Sequence, residues 1–210
     1  MTFNKYCFLT IFCYGLVFFL PALATSAQMA IFFTTLFYLC GALFMFLLYT
    51  KSLPFLLIEK RSSTWPKILF WGLLGIFIAI FLQNIAITIE SLFREYTTSE
   101  NTQSIIAVVR QQPLFVLAVM FGGPIMEEFV FRRALLGFIA NYSTLWLGTI
   151  LSSLIFALAH NDGHLLVYFF LGCFFAWLYY HTGKIWTSII THIGMNGLVI
   201  LLQLLFAFTF

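Results

Sequence analysis

Seven apolar runs, each near the roughly 20 residues a helix needs to cross a bilayer, fill most of this 210-residue chain. They read as Tyr6–Ala24, Met29–Tyr49, Ile68–Ile87, Pro113–Ala140, Leu145–Ala159, Leu165–Tyr180 and Ile185–Phe210, and only the fourth is interrupted by charged side chains. No water reaches a hydrocarbon core to satisfy backbone N–H and C=O groups, so runs of this length must coil into helices. The expected fold is all-α, a polytopic transmembrane bundle of about seven spans that forms a single membrane domain over residues 1–210 with the lipid bilayer as its surroundings. Composition agrees: 62% of residues are hydrophobic and 8% charged, against roughly a quarter charged in a soluble domain.

Ten Lys and Arg against seven Asp and Glu give a net charge of +3. These charges are scattered between the runs and form no patch that could track phosphates, so nucleic acid is not an expected partner. Cys7, Cys13, Cys40 and Cys173 lie inside apolar runs without ligand or redox spacing and read as small packing side chains. Lys5, the stretch Tyr6 to Leu20 and the small residues Ala22 to Ala27 have some features of a secretory signal, yet the apolar run is long for one, and a first membrane helix is the preferred reading. Leu53 to Lys67 reads as a loop whose short apolar piece lies at the interface. Glu90 to Gln112, the most polar stretch, reads as a loop on the other side with an amphipathic helical piece.

The fourth run contains Gly122-Gly123-Pro124-Ile125-Met126-Glu127-Glu128-Phe129-Val130-Phe131-Arg132-Arg133. Two carboxylates and two guanidiniums there cost about 2.5–3.5 kcal/mol each at mid-span. Glu128 and Arg132 are four apart, acid first, which suits an ion pair that locks helices. Glu127 lies about 100° round the helix and needs a partner from elsewhere. His160, four after Phe156, and His192, four before Asn196, supply candidates from two further helices. A carboxylate beside an imidazole in a dry cavity can deprotonate water, and imidazole and amide N–H groups can face an oxyanion, as hydrolysis of a peptide or protein substrate requires. Singly, each histidine reads as an interhelical hydrogen-bonder, Phe156 as packing, and Arg133 and His181 as surface or snorkelling side chains. Glu127, His160 and His192 on three helices are harder to explain by packing.

Glu127-Glu128-x-x-x-Arg132, Phe156-x-x-x-His160 and His192-x-x-x-Asn196, with Gly183-Lys184-Ile185-Trp186-Thr187-Ser188-Ile189 ahead of the last, resemble the motifs of the CPBP intramembrane proteases, the CAAX-protease and bacteriocin-processing (Abi) family. The likeness spans residues 113–210, the expected catalytic core. Arg133 departs from the pattern, which has Gly there. The resemblance implies an endopeptidase in which Glu127 and His160 activate water, His192 and Asn196 form the oxyanion hole, and Glu128 with Arg132 supports them. It favours chemistry without a cofactor. Zinc is the alternative, held by Glu127, His160 and His192, although no HExxH is present. The pair His160 and His164 is spaced for a helix face, but Gly163 favours a turn. Two other classes use the same buried residues: a non-catalytic bacteriocin immunity or scaffold protein, and a small proton-coupled transporter.

Counting about 1.5 Å per residue along the runs leaves His160 toward the outer side and Glu127 and His192 toward the inner. Convergence therefore requires a deep or tilted fifth helix, or a fourth helix broken near Pro124. With the N-terminus in the cytoplasm, Lys5, Lys51, Lys60, Arg61, Lys67, Arg132, Arg133 and Lys184 fall inside, and Arg94 and Arg110 outside, which obeys the positive-inside rule for a plasma-membrane protein. Reporter fusions at Thr64 are expected to report cytoplasm and fusions at Ser99 the exterior; the reversed pattern would overturn this orientation.

Overall fold

The computed structural model describes residues 1–61, 63–93 and 99–206; Arg94 and residues 207–210 of the seventh run lie outside them. Eight helical segments follow one another: α1 (Phe3–Phe19, extended by a tight turn over Leu20–Leu23), α2 (Ala27–Thr50), α3 (Trp65–Ser91), α4 (Glu100–Gln111), α5 (residues 115–142), α6 (Leu145–His160), α7 (Leu165–Thr182) and α8 (Ile185–Phe206). Among the described residues there are no strands, and the fold is an all-α membrane bundle. Phe3–Leu23, Ala27–Thr50, Trp65–Ser91, Leu165–Thr182 and Ile185–Leu205 are long and apolar enough to cross a membrane. The other two expected runs differ from these five: α6 is apolar but has only 16 residues, and α5 carries the four charges.

Cross-links at the two ends give the path of the chain. At one end the Met1 amino group donates to Lys51 O (3.2 Å), Arg61 Nη1 to Tyr180 O (3.1 Å) and Lys184 Nζ to Glu59 O (3.2 Å). At the other, Leu166 N donates to Glu90 Oε1 (2.8 Å) and Ser99 Oγ to Asp162 Oδ2 (2.8 Å). The amphipathic α4 sits at this second end, as the polar stretch before Gln112 suggested. Gly163 has φ 85° and Asn161 φ 45°, so residues after His160 turn sharply instead of continuing the helix.

α5 is one run of right-handed helical backbone with two widened segments, π turns over Ala118–Gly122 and Glu128–Leu135, on either side of Gly123–Glu127. Pro124 supplies the reason for the first. It has no N–H and its ring crowds the preceding turn, and a π turn absorbs both. The helix is widened near Pro124, not broken. Its close fit depends on Gly122, where a Cβ would lie 2.9 Å from Tyr38 Cβ and 3.1 Å from Tyr38 O, so α2 crosses α5 at a distance only glycine allows.

Arg133 corrects the expectation of a snorkelling side chain: it is only 2% exposed. Its Nε donates to Glu59 Oε1 (2.6 Å), Nη1 to Ser52 Oγ (2.7 Å) and Nη2 to Leu53 O (3.2 Å). Tyr179 O–H and Phe55 N–H also donate to Glu59, each at 2.6 Å. The rings of Tyr6, Tyr49 and Phe55 lie 4.4–4.6 Å from the guanidinium. The loop before α3 is therefore anchored to the bundle, while its Leu53 and Leu57 stay exposed. Its turn over Leu57–Lys60 folds Glu59 inward as the counter-charge, and the departure from glycine at position 133 clasps α1, α2, α5 and α7 at one end of the bundle. Breaking a buried pair leaves a charge unpaired at about 3–5 kcal/mol. Arg133→Ala is expected to lower the thermal unfolding midpoint of the detergent-solubilised protein clearly; an unchanged midpoint would rule out the clasp.

Candidate active site

Glu128 is fully buried, and its two oxygens face two helices. Oε1 accepts from His192 Nδ1 (3.0 Å) on α8, and Oε2 lies 3.7 Å from Arg132 Nε one turn along α5, a charge contact longer than a hydrogen bond. The Arg132 guanidinium has no hydrogen-bond partner among the described residues and is instead packed over Phe156 (4.4 Å) and Phe175 (5.6 Å). Cation–π attraction replaces part of the lost hydration there.

A carboxylate can only accept, so the His192 Nδ1 carries its proton toward Glu128, and Nε2 is turned to Glu127 Oε2 at 3.7 Å. His192 thus stands between both glutamates, an arrangement the motif spacing did not indicate. Phe175 stacks on the imidazole (centroids 4.6 Å apart, 28°), and Phe156 meets it edge-on at 6.1 Å.

Asn196 lies one turn further along α8, and its Nδ2 donates to Val119 O at 3.5 Å, the long limit of a hydrogen bond. The local backbone explains why that carbonyl is available. Gly123 N–H bonds back to Ala118 O in the π register, so the next donor, for Val119 O, would be the N–H that Pro124 lacks. Proline thereby prepares an acceptor that orients the amide.

His160 ends α6. Its Nδ1 lies 2.9 Å from Phe156 O, so that nitrogen donates and Nε2 keeps its lone pair in the neutral ring. Tyr168 stacks on it (centroids 3.8 Å, 22°), and Tyr168 O–H donates to Asp162 Oδ2 (2.7 Å). His164 pairs with Glu90 (Nδ1 to Oε2, 2.8 Å), away from a pair with His160.

Glu127, His160, His192 and Asn196 all line one cavity of about 540 Å³, so the depth mismatch is closed. Sixteen residues span only about 24 Å against about 30 Å of hydrocarbon, so α6 is too short to carry His160 from one face of a bilayer to the other. Glu128 and Arg132 are buried behind the wall. The cavity also receives Tyr14 and Tyr38, which the sequence reading had no signal to select, because aromatic residues in apolar helices read as packing. Among the described residues no three His, Cys, Asp or Glu side chains come together as a metal-holding group, so Glu127, His160 and His192 share the cavity without forming a ligand set as placed.

Glu128→Ala strands the His192 Nδ1–H and the Arg132 charge, whereas Glu127→Gln keeps the shape of a half-buried side chain. The expected outcome is a lower unfolding midpoint for Glu128→Ala and a midpoint near wild type for Glu127→Gln, measured side by side.

Residues 109–198 match the family described as Type II CAAX prenyl endopeptidase Rce1-like. Over 136 residues the chain is 40% identical to YdiL of Bacillus subtilis strain 168, whose name provisionally assigns it as a membrane peptidase; this covers 64% of the chain and 56% of that protein. Over 143 residues it is 36% identical to the membrane-embedded CAAX protease MroQ of Staphylococcus aureus strain USA300, covering 64% of the chain and 58% of that protein. The chain thus spans somewhat more than half the length of each of these relatives. No solved structure matches. Residues 109–198, which carry all three motifs and every cavity-lining residue named from them, are thus similar to the Rce1-like CAAX proteases.

Proposed function

We propose that this protein is an intramembrane endopeptidase that hydrolyses a peptide bond of a peptide or protein substrate at the membrane, with Glu127 as general base and no resident metal. The observation that carries the reading is the cavity in which Glu127 lies 3.7 Å from His192 Nε2 and shares its walls with His160 and Asn196, each on a separate turn of α5, α6 or α8. The names of both relatives, a membrane peptidase and a CAAX protease, support it.

In this mechanism a water lies between the Glu127 carboxylate and the lone pair of His160 Nε2. Glu127 takes its proton as the oxygen attacks the substrate carbonyl carbon. The oxyanion that forms faces His192 and Asn196. Because Nδ1–H of His192 is committed to Glu128, His192 donates from Nε2 only when the ring carries both protons. Collapse of the tetrahedral intermediate breaks the C–N bond, and the proton held by Glu127 passes to the leaving amine. Glu128 and Arg132 act on substrate only through His192. Under the positive-inside rule, the end bearing Glu59, Arg133 and Lys184 is the cytoplasmic one.

Two measurements test the reading. Glu127→Gln is expected to abolish cleavage while leaving the folded amount unchanged; activity at the wild-type level would exclude Glu127 as the base. Purified protein is expected to hold far less than one zinc per chain and to keep its activity after dialysis against a strong chelator. Activity that vanishes with the metal and returns with zinc would favour the zinc alternative.

A further inference from the structure

Tyr14 of α1 and Tyr38 of α2 come from outside residues 109–198, yet both line the cavity that holds Glu127. Their placement follows from three positions on one face of α5. Gly123, Glu127 and Phe131 are spaced by four, so each follows the last by about one helical turn. A Cβ at Gly123 would touch Tyr38 Cε1 at 3.5 Å, which sets the Tyr38 phenol one turn before Glu127. Tyr14 meets Phe131 edge-on with centroids 5.8 Å apart, one turn after Glu127. The two phenols thus bracket the carboxylate along the helix. Both side chains are half-buried, and neither hydroxyl has a hydrogen-bond partner among the described residues. Tyr179 and Tyr168, by contrast, spend their hydroxyls on Glu59 and Asp162.

Free donors matter here because the donors on α8 are partly committed. His192 Nδ1–H is held by Glu128, and one of the two Asn196 amide protons points to Val119 O. A peptide laid across Glu127 brings carbonyl oxygens that need donors once water is displaced, and an unmet acceptor in a dry cavity is costly. We propose that the hydroxyls of Tyr14 and Tyr38 hydrogen-bond the substrate backbone beside the scissile bond and hold it against Glu127. The proposal rests on the endopeptidase reading, and it assigns to the two N-terminal helices a direct part in substrate binding.

The test uses the full chain, purified and reconstituted in phosphatidylcholine vesicles, with a library of internally quenched fluorogenic peptides as probe. Wild type, Glu127→Gln, Tyr14→Phe, Tyr38→Phe and the double Phe variant are compared for kcat/KM and unfolding midpoint. Phenylalanine keeps the ring contacts with Phe131 and Gly123, so the midpoint should hold. The double variant is expected to lose about tenfold or more in kcat/KM. A smaller loss, with Glu127→Gln inactive, overturns the proposal and leaves the endopeptidase reading intact. Wild type without cleavage, or Glu127→Gln as active as wild type, removes that reading and the proposal with it. Should a Phe variant melt early, nitration of the Glu127→Gln protein decides: a peptide cleaved by wild type should shield Tyr14 and Tyr38 but not the exposed Tyr142, and equal nitration with and without peptide overturns the proposal.

Discussion

A carboxylate with no solvent exposure, Glu128, sets the terms for the rest of the molecule. Isolated in a bilayer-spanning helix it would be neutralised or rejected, and its charge is tolerated because Arg132 and the His192 N–H reach it from two directions. The His192 contact fixes α8 against α5 and turns the second imidazole nitrogen toward Glu127. Two aromatic rings complete the arrangement. Phe156 and Phe175 each touch both the Arg132 guanidinium and the His192 ring, so the charged core is walled by side chains that attract cations without offering an acceptor that would compete with the glutamates.

What the sequence made legible was what lies within one helical turn or one apolar run. The helices follow the runs within a few residues, and the Glu128–Arg132 pair follows from the i,i+4 spacing. The meeting of Glu127, His160 and His192 on one cavity was expected from the cost of placing polar groups in three spans. Contacts between distant segments were not legible. Glu59 lies 74 positions before Arg133 in a stretch that reads as a loop, so a buried ion pair there had no signature, and a lone arginine near a helix end reads as snorkelling. The placement of His192 between both glutamates depends on how α8 packs against α5, which the spacing of residues along α8 alone does not define.

The depth of His160 shows the same limit in another form. Run lengths place helix ends only if every span is as thick as the bilayer, and α6 is shorter. Its His160 end is covered by other parts of the protein: Tyr168 stacks on His160, Asp162 collects the Tyr168 and Ser99 hydroxyls, and Glu90 takes His164. Polar side chains of α3, the start of α4 and the α6–α7 turn thus give this end of the short helix polar partners. The π turn before Pro124 is a local counterpart, because a proline that would break an isolated helix leaves a carbonyl that α8 supplies with a donor.

Adjacent positions on a helix point about 100° apart, and that geometry separates the paired charges of α5 from the one that faces the cavity. Arg133 faces the clasp at Glu59, Glu128 and Arg132 face α8 and the aromatic wall, and Glu127 faces the cavity. Each guanidinium has a carboxylate nearer than Glu127, so neither turns to neutralise it. A general base has to keep its lone pairs available, and a carboxylate bound in a strong ion pair would give them up. Two arginines placed so close to Glu127 would ordinarily quench it. Placing other glutamates beside both leaves Glu127 as the carboxylate of α5 that faces the cavity, with an imidazole on one side and two phenols along the helix face.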